Sequence, residues 1–174
     1  VSRHCKDIAA NPHPARGQDE LALLAADGRS VLVLRKVDGA FSETAFNVRT
    51  SSQRVAYGDI NSDNRDDLLL FGKKRVGTSA LIRQNDGRYT EGPFLFPDLS
   101  MSDLKCADLN GDGITDVFVL SWLTNQLALF FGIGRGVFSE QVEVTLPGEP
   151  ADITISPVTK ERTLRIAVSI PENK

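Results

Sequence analysis

A motif that returns at intervals of about 49 residues limits what this chain can fold into more than any other feature. Gly39-Ala40-Phe41-Ser42-Glu43 recurs as Gly87-Arg88-Tyr89-Thr90-Glu91 and again as Gly136-Val137-Phe138-Ser139-Glu140, with the aromatic residues 48 and 49 positions apart. An aspartate leading into a polar loop keeps the same period, at Asp59 and Asp108. A fixed period of this length indicates one supersecondary unit copied along the chain.

Each copy has the same contents. A short apolar run comes first (Leu21 to Leu24, Leu68 to Phe71, Val117 to Leu120), and a second follows a turn (Val31 to Leu34, Ala80 to Ile82, Leu127 to Phe131). Apolar runs of this length between turn residues are strands buried on both faces. Asp27-Gly28, Asp38-Gly39 and Asp86-Gly87 are hairpin signals, because Asp and Gly tolerate the positive φ of primed turns. Helical periodicity is absent. With the strand before each aspartate loop (Arg54 to Asp59, Leu104 to Asp108), each repeat holds four strands. Four short antiparallel strands per repeat predict an all-β fold, a β-propeller of four-stranded blades. One segment, residues 1–174, carries blades at about 1–50, 51–100 and 101–149. A partial blade follows at 150–174, with strands near Ala151 to Ile155 and Leu164 to Ile170. A propeller needs more blades, so the remainder is expected from a longer chain or from another subunit.

The two clear loops carry the sharpest chemistry. Asp108, Asn110, Asp112 and Asp116 place side-chain oxygens at loop positions 1, 3, 5 and 9, and Asp59, Asn61, Asp63 and Asp67 repeat the spacing. Ca2+ takes six to eight hard oxygen ligands, and the backbone carbonyls of Ile114 and Arg65 at position 7 would add to each set. Position 6 requires a sharp turn, which Gly113 supplies freely and Asn64 tolerates. An EF-hand would need a glutamate at position 12 between helices. Val119 and Leu70 stand there instead, each inside a predicted strand. Carboxylates so crowded repel one another without a cation. Two bound Ca2+ ions would move the formal charge from −3 to about +1.

At this point the residues resemble a known family. Cys106 to Gly113, Asp116-Val117-Phe118-Val119, Asn125 to Gly132 and Gly136-Val137-Phe138 are similar to the FG-GAP or VCBS repeat of integrin α-subunit propellers and many secreted microbial proteins. The resemblance covers nearly the whole chain and is sharpest in the third repeat. It implies that the loop between the first two strands of a blade binds Ca2+, which carries over to the loops at Asp59 and Asp108.

The outer repeats depart from that motif. Asp7, aligned with Asp59 and Asp108, leads into a lengthened segment through Pro12, His13 and Pro14 before Asp19 and Glu20. Asp152 is followed by Thr154, Ser156 and Lys160, and no Ca2+ is expected there. Cys5 and Cys106 each precede an aspartate by two positions. They are therefore expected at equivalent points of different repeats, too far apart to bridge, as two separate small buried residues.

No catalytic constellation emerges. His4 and His13 lie outside the clear repeats, and neither has a partner that would orient it as a base. Asp66 and Asp67 are neighbours on a strand and point to opposite faces. Gly132, Gly134 and Gly136 sit in a hairpin turn, not in a phosphate loop. The small net charge argues against nucleic acid, and no apolar run is long enough to span a membrane. The chain starts at Val1 without a visible signal peptide and is read as a processed form or a segment. The expected function is a secreted module, extracellular or periplasmic, for protein or carbohydrate binding or scaffolding, because millimolar calcium suits loops of modest affinity. The alternative is part of a carbohydrate-active enzyme resembling the propeller polysaccharide lyases. A partner surface is expected on the face opposite the calcium loops, where Lys73, Lys74 and Arg75 lie near Trp122. The plainer reading of these residues is a solvated turn, with the indole packed between blades.

Overall fold

The computed structural model describes residues 4–12, 19–48, 51–72, 77–97, 99–156 and 165–171. Among them there is no helix, and every sheet is antiparallel. The first sheet is β1 (Cys5–Ala10), β2 (Glu20–Ala25), β3 (Ser30–Val37) and β4 (Ala40–Asn47), hydrogen-bonded in chain order. The second is β5 (Arg54–Gly58), β6 (Asp67–Phe71), β7 (Thr78–Arg83) and β8 (Tyr89–Leu95). The third is β9 (Met101–Ala107), β10 (Asp116–Ser121), β11 (Gln126–Gly132) and β12 (Phe138–Thr145). A two-stranded sheet, β13 (Asp152–Ile155) and β14 (Ile166–Ser169), follows.

The apolar runs of the repeat are the second strands. Every residue of β6 and β10 is buried, because both faces of the strand are covered. In β2 buried and half-buried residues alternate instead. Three cores lie between successive sheets. Leu24, Val31, Leu70 and Tyr89 belong to the first, Leu69, Phe71, Leu104 and Val119 to the second, and Phe118, Leu120, Leu127 and Ile153 to the third. The first strands β1, β5, β9 and β13 each lie against the next in the series. Gly58 at the end of β5 lies against Cys106 near the end of β9, so the loops that follow these two strands leave from one end.

Strand pairing corrects the alignment of the outer repeats. Asp7 faces Leu24, four residues into β2, as Asp103 faces Leu120 in β10 and Arg54 faces Phe71 in β6. Asp7 is thus the counterpart of Asp103, inside the first strand, and not of the loop aspartates. Asp7 Oδ2 accepts the N–H of Val55 (2.9 Å) and Asp103 Oδ2 that of Ile153 (3.1 Å), so each carboxylate reaches the next sheet. The residue after Asp152 gives its amide to Asp103 as the residue after Arg54 gives its amide to Asp7, which makes Asp152 the counterpart of Arg54 and Asp103. The signal was present in the sequence, since Asp152 follows Asp103 by 49 positions.

The cysteines are corrected on the same ground. Cys5 faces Ala25 at the start of its strand pair, whereas Cys106 faces Val117 near the end of its own. Both are free thiols, but they are neither equivalent nor both buried as expected: Cys5, at the start of its strand, is exposed, and Cys106 packs against Gly58. Burial pushes the Cys106 thiol up to about 12, with the Asp66 charge adding to it, and so keeps it protonated and unreactive. A β-carbon at Gly58 would lie 2.6 Å from both Cβ and Sγ of Cys106. Gly58→Ala should therefore cost about 1–3 kcal/mol in urea denaturation. An unchanged midpoint would show that the second and third sheets can part there freely.

Candidate metal centre

The two loops singled out by their oxygen spacing adopt one hydrogen-bonded form. Asp59 Oδ1 accepts the N–H of Asp63 (3.0 Å) and its Oδ2 that of Asn64 (2.8 Å). Asp108 Oδ1 likewise accepts Gly111 and Asp112 (2.7 and 3.2 Å), and its Oδ2 accepts Gly113 (2.9 Å). At position 3, Asn61 and Asn110 each accept the N–H two residues on (3.1 and 3.0 Å). At position 5, Asp63 accepts from Arg65 (3.0 Å) and Asp112 from Ile114 (2.8 Å). Position 9 closes the loop. Asp67 accepts from Ile60 and Arg83 (3.2 and 2.8 Å), and Asp116 from Leu109 and Gly132 (2.7 and 2.9 Å).

The turn expected at position 6 is present, with φ of 63° at Asn64 and 84° at Gly113. A second left-handed residue, at position 4, was not foreseen: Ser62 has φ 62° and Gly111 79°. Alternating left-handed residues aim successive N–H groups inward at the first aspartate. One difference separates the loops. The Arg65 guanidinium donates to Asp63 Oδ2 at 2.7 Å, and Ile114 offers no such cation.

The donor set fits Ca2+ in its chemistry. All the side-chain donors are oxygens, and burial raises Asp67 to about 7, with the Asp63 and Asp59 charges adding to the shift. A bound cation would offset that repulsion. Among the described residues, however, no three His, Cys, Asp or Glu side chains are gathered into one metal-sized cluster. The ligands would be Asp59, Asn61, Asp63, Asp67 and the Arg65 carbonyl in one loop. In the other they would be Asp108, Asn110, Asp112, Asp116 and the Ile114 carbonyl.

The first sheet treats the position-9 carboxylate differently, and sequence reasoning missed it. Glu20 opens β2 as Asp67 opens β6 and Asp116 opens β10. Its Oε2 lies 2.9 Å from Arg35 and 3.1 Å from Arg83. Its Oε1 accepts the hydroxyls of Tyr57 (3.2 Å) and Tyr89 (2.6 Å). Burial, then the neighbouring tyrosine and glutamate for Tyr57, and Glu20 for Tyr89, pushes both hydroxyls well above the usual tyrosine range. Both phenols therefore stay protonated as donors, and with both carboxylate oxygens engaged the cluster holds sheets together rather than moving protons. The available signal was the place of Glu20 in the repeat, 47 positions before Asp67.

The partner surface is only partly in view. Lys73, Lys74 and Arg75 lie outside the described residues, as do His13 and Lys160. Trp122 is half-buried in the turn between β10 and β11. That turn lies at the end of the sheets opposite the loops, since Ser121 pairs with Met101 at the entry to β9. At the same end a cleft of about 400 Å3 opens among Gln53, Arg54, Ser102, Glu149 and Ala151. No protein-family model and no curated protein matches this sequence.

Proposed function

We propose that the chain is part of a calcium-stabilised β-propeller that serves as a binding or scaffolding module outside the cell, of the FG-GAP or VCBS kind. The observation that carries this reading is the pair of loops with one hydrogen-bonded form at the same end of successive sheets. The abutting first strands support it, since a propeller sets its innermost strands around an axis. In this arrangement the metal is structural, fixing loop geometry, while the opposite end with Trp122 and the cleft receives a protein or carbohydrate ligand.

The remaining blades come from a longer chain or from another subunit. Val142 and Val144 of β12 share a face with Leu129 and Leu127 of β11, yet remain 48% and 45% exposed beside a sheet that has two strands among the described residues. Further strands would cover that apolar strip.

The test is thermal melting in excess EDTA and in millimolar Ca2+, with metal stoichiometry measured on the same sample. Two ions and a calcium-dependent rise are expected, each site adding about 2.7 kcal/mol at a hundredfold excess over its Kd. Asp108→Asn should remove one ion and part of the rise. A melt that ignores calcium, with no ion bound, would leave the loops standing on their own hydrogen bonds and end the metal assignment.

A further inference from the structure

Two carboxylates converge on a single backbone N–H where β13 meets the third sheet. The amide of Ile153 lies 3.1 Å from Asp103 Oδ2 and 3.0 Å from Asp152 Oδ1. Asp103 is 1% exposed and Asp152 is exposed, so one carboxylate has lost its water and the other has kept it. Among the described residues, the other charged groups around the pair are few. Lys105, on the same strand as Asp103, reaches its Oδ2 at 3.2 Å from a half-exposed position. Arg54 of β5 acts on Asp152 from farther away and is itself 3.7 Å from Asp7 of β1. The neighbouring strands are uncharged at this level: β10 sets Leu120 opposite Asp103, and β14 sets Ser169 opposite Asp152. If both acids were ionised, two negative charges would face each other across one shared donor, one of them in a site without water.

We propose that Asp103 and Asp152 hold one proton between them, and that this shared proton latches β13–β14 onto the third sheet. Asp103 carries the proton and donates it to the Asp152 carboxylate, and the Ile153 N–H completes the bridge. The directions of titration agree with the geometry. Burial first, and then Asp152, raises Asp103 above the ordinary carboxylate range, while Asp103 first lowers Asp152 below it. The raised group contributes stability at low pH that is lost as pH rises through its folded value. The lowered group contributes stability that is lost as pH falls through its own. The latch is therefore tightest between those two values and opens on the alkaline side.

Hydrogen exchange of the whole chain across a pH series tests this, comparing amides of β13 and β14 with those of β10 after correction for intrinsic rates. In the wild type, protection of β13 and β14 relative to β10 should fall about tenfold per pH unit once the proton leaves. Asp103→Asn keeps a permanent donor in place of the proton, so the alkaline fall should disappear with the fold intact. Lys105→Met removes the cation that, among the described residues, favours an ionised Asp103, and should move the fall to higher pH. The proposal is overturned if wild-type protection is flat across the series, or if Asp103→Asn retains the wild-type fall.

Discussion

Glu20→Ala should lower the stability of this chain by about 3–5 kcal/mol, the cost of removing one partner from a buried ion pair and leaving the other uncompensated. The glutamate is 3% exposed and serves four donors on four strands of two sheets. Without it, the Arg35 and Arg83 guanidinium groups face each other with no counter-charge, and two protonated phenols lose their acceptor. Arg83 is 12% exposed in its side chain and Arg35 23%, so water can recover only part of the loss. Denaturant unfolding followed by far-UV circular dichroism reads the change. Removing the charge on both sides, as Glu20→Leu with Arg83→Leu, should restore part of the stability, because the desolvated charge goes with its partner. A loss under about 1 kcal/mol for Glu20→Ala would mean that the first and second sheets do not depend on this cluster.

The second large effect is expected at Phe118, which is fully buried in β10 among Leu120, Leu127 and Ile153. Phe118→Ala should cost about 3–5 kcal/mol, through lost apolar burial plus the cavity left behind. This cavity lies between the third sheet and β13–β14, which among the described residues has two strands with which to close it. Hydrogen exchange should show β13 and β14 losing protection before β6, whose core is shared between complete sheets. Val144→Thr is the control: its side chain is already half in water, and the change should stay within about 0.5 kcal/mol. Equal losses at Phe118 and Val144 would contradict the placement of the third core.

Several elements of the fold were legible in the chain alone because their causes are local. Leu68 to Phe71 and Val117 to Leu120 form strands wherever they are placed, since a short apolar run between turn residues has no other way to be buried on both faces. The nine-residue loops were legible for the same reason. An aspartate followed by alternating polar residues and a left-handed turn position wraps its own backbone N–H groups, and the partners within the loop lie within seven positions, with only the amides of Arg83 and Gly132 reached from farther along the chain. The position-4 turn was not legible because Gly111 marks a left-handed position by its type and Ser62, its counterpart, does not.

The sequence by itself determined the period, the strand order within each full sheet and the form of the two polar loops, because each depends on residues close together in the chain. Only the tertiary structure decided where the acidic residues of the outer repeats belong. Asp7 resembles a loop aspartate by its place after a cysteine, yet its partner is the amide of Val55 in the next sheet, 48 positions away. Glu20 meets Tyr89 across 69 positions, and Gly58 has to be small for a cysteine in a different sheet. A local motif identifies a carboxylate but not its partner. The packing of one sheet on the next brings that partner within 3 Å, and burial then determines whether the carboxylate keeps its charge.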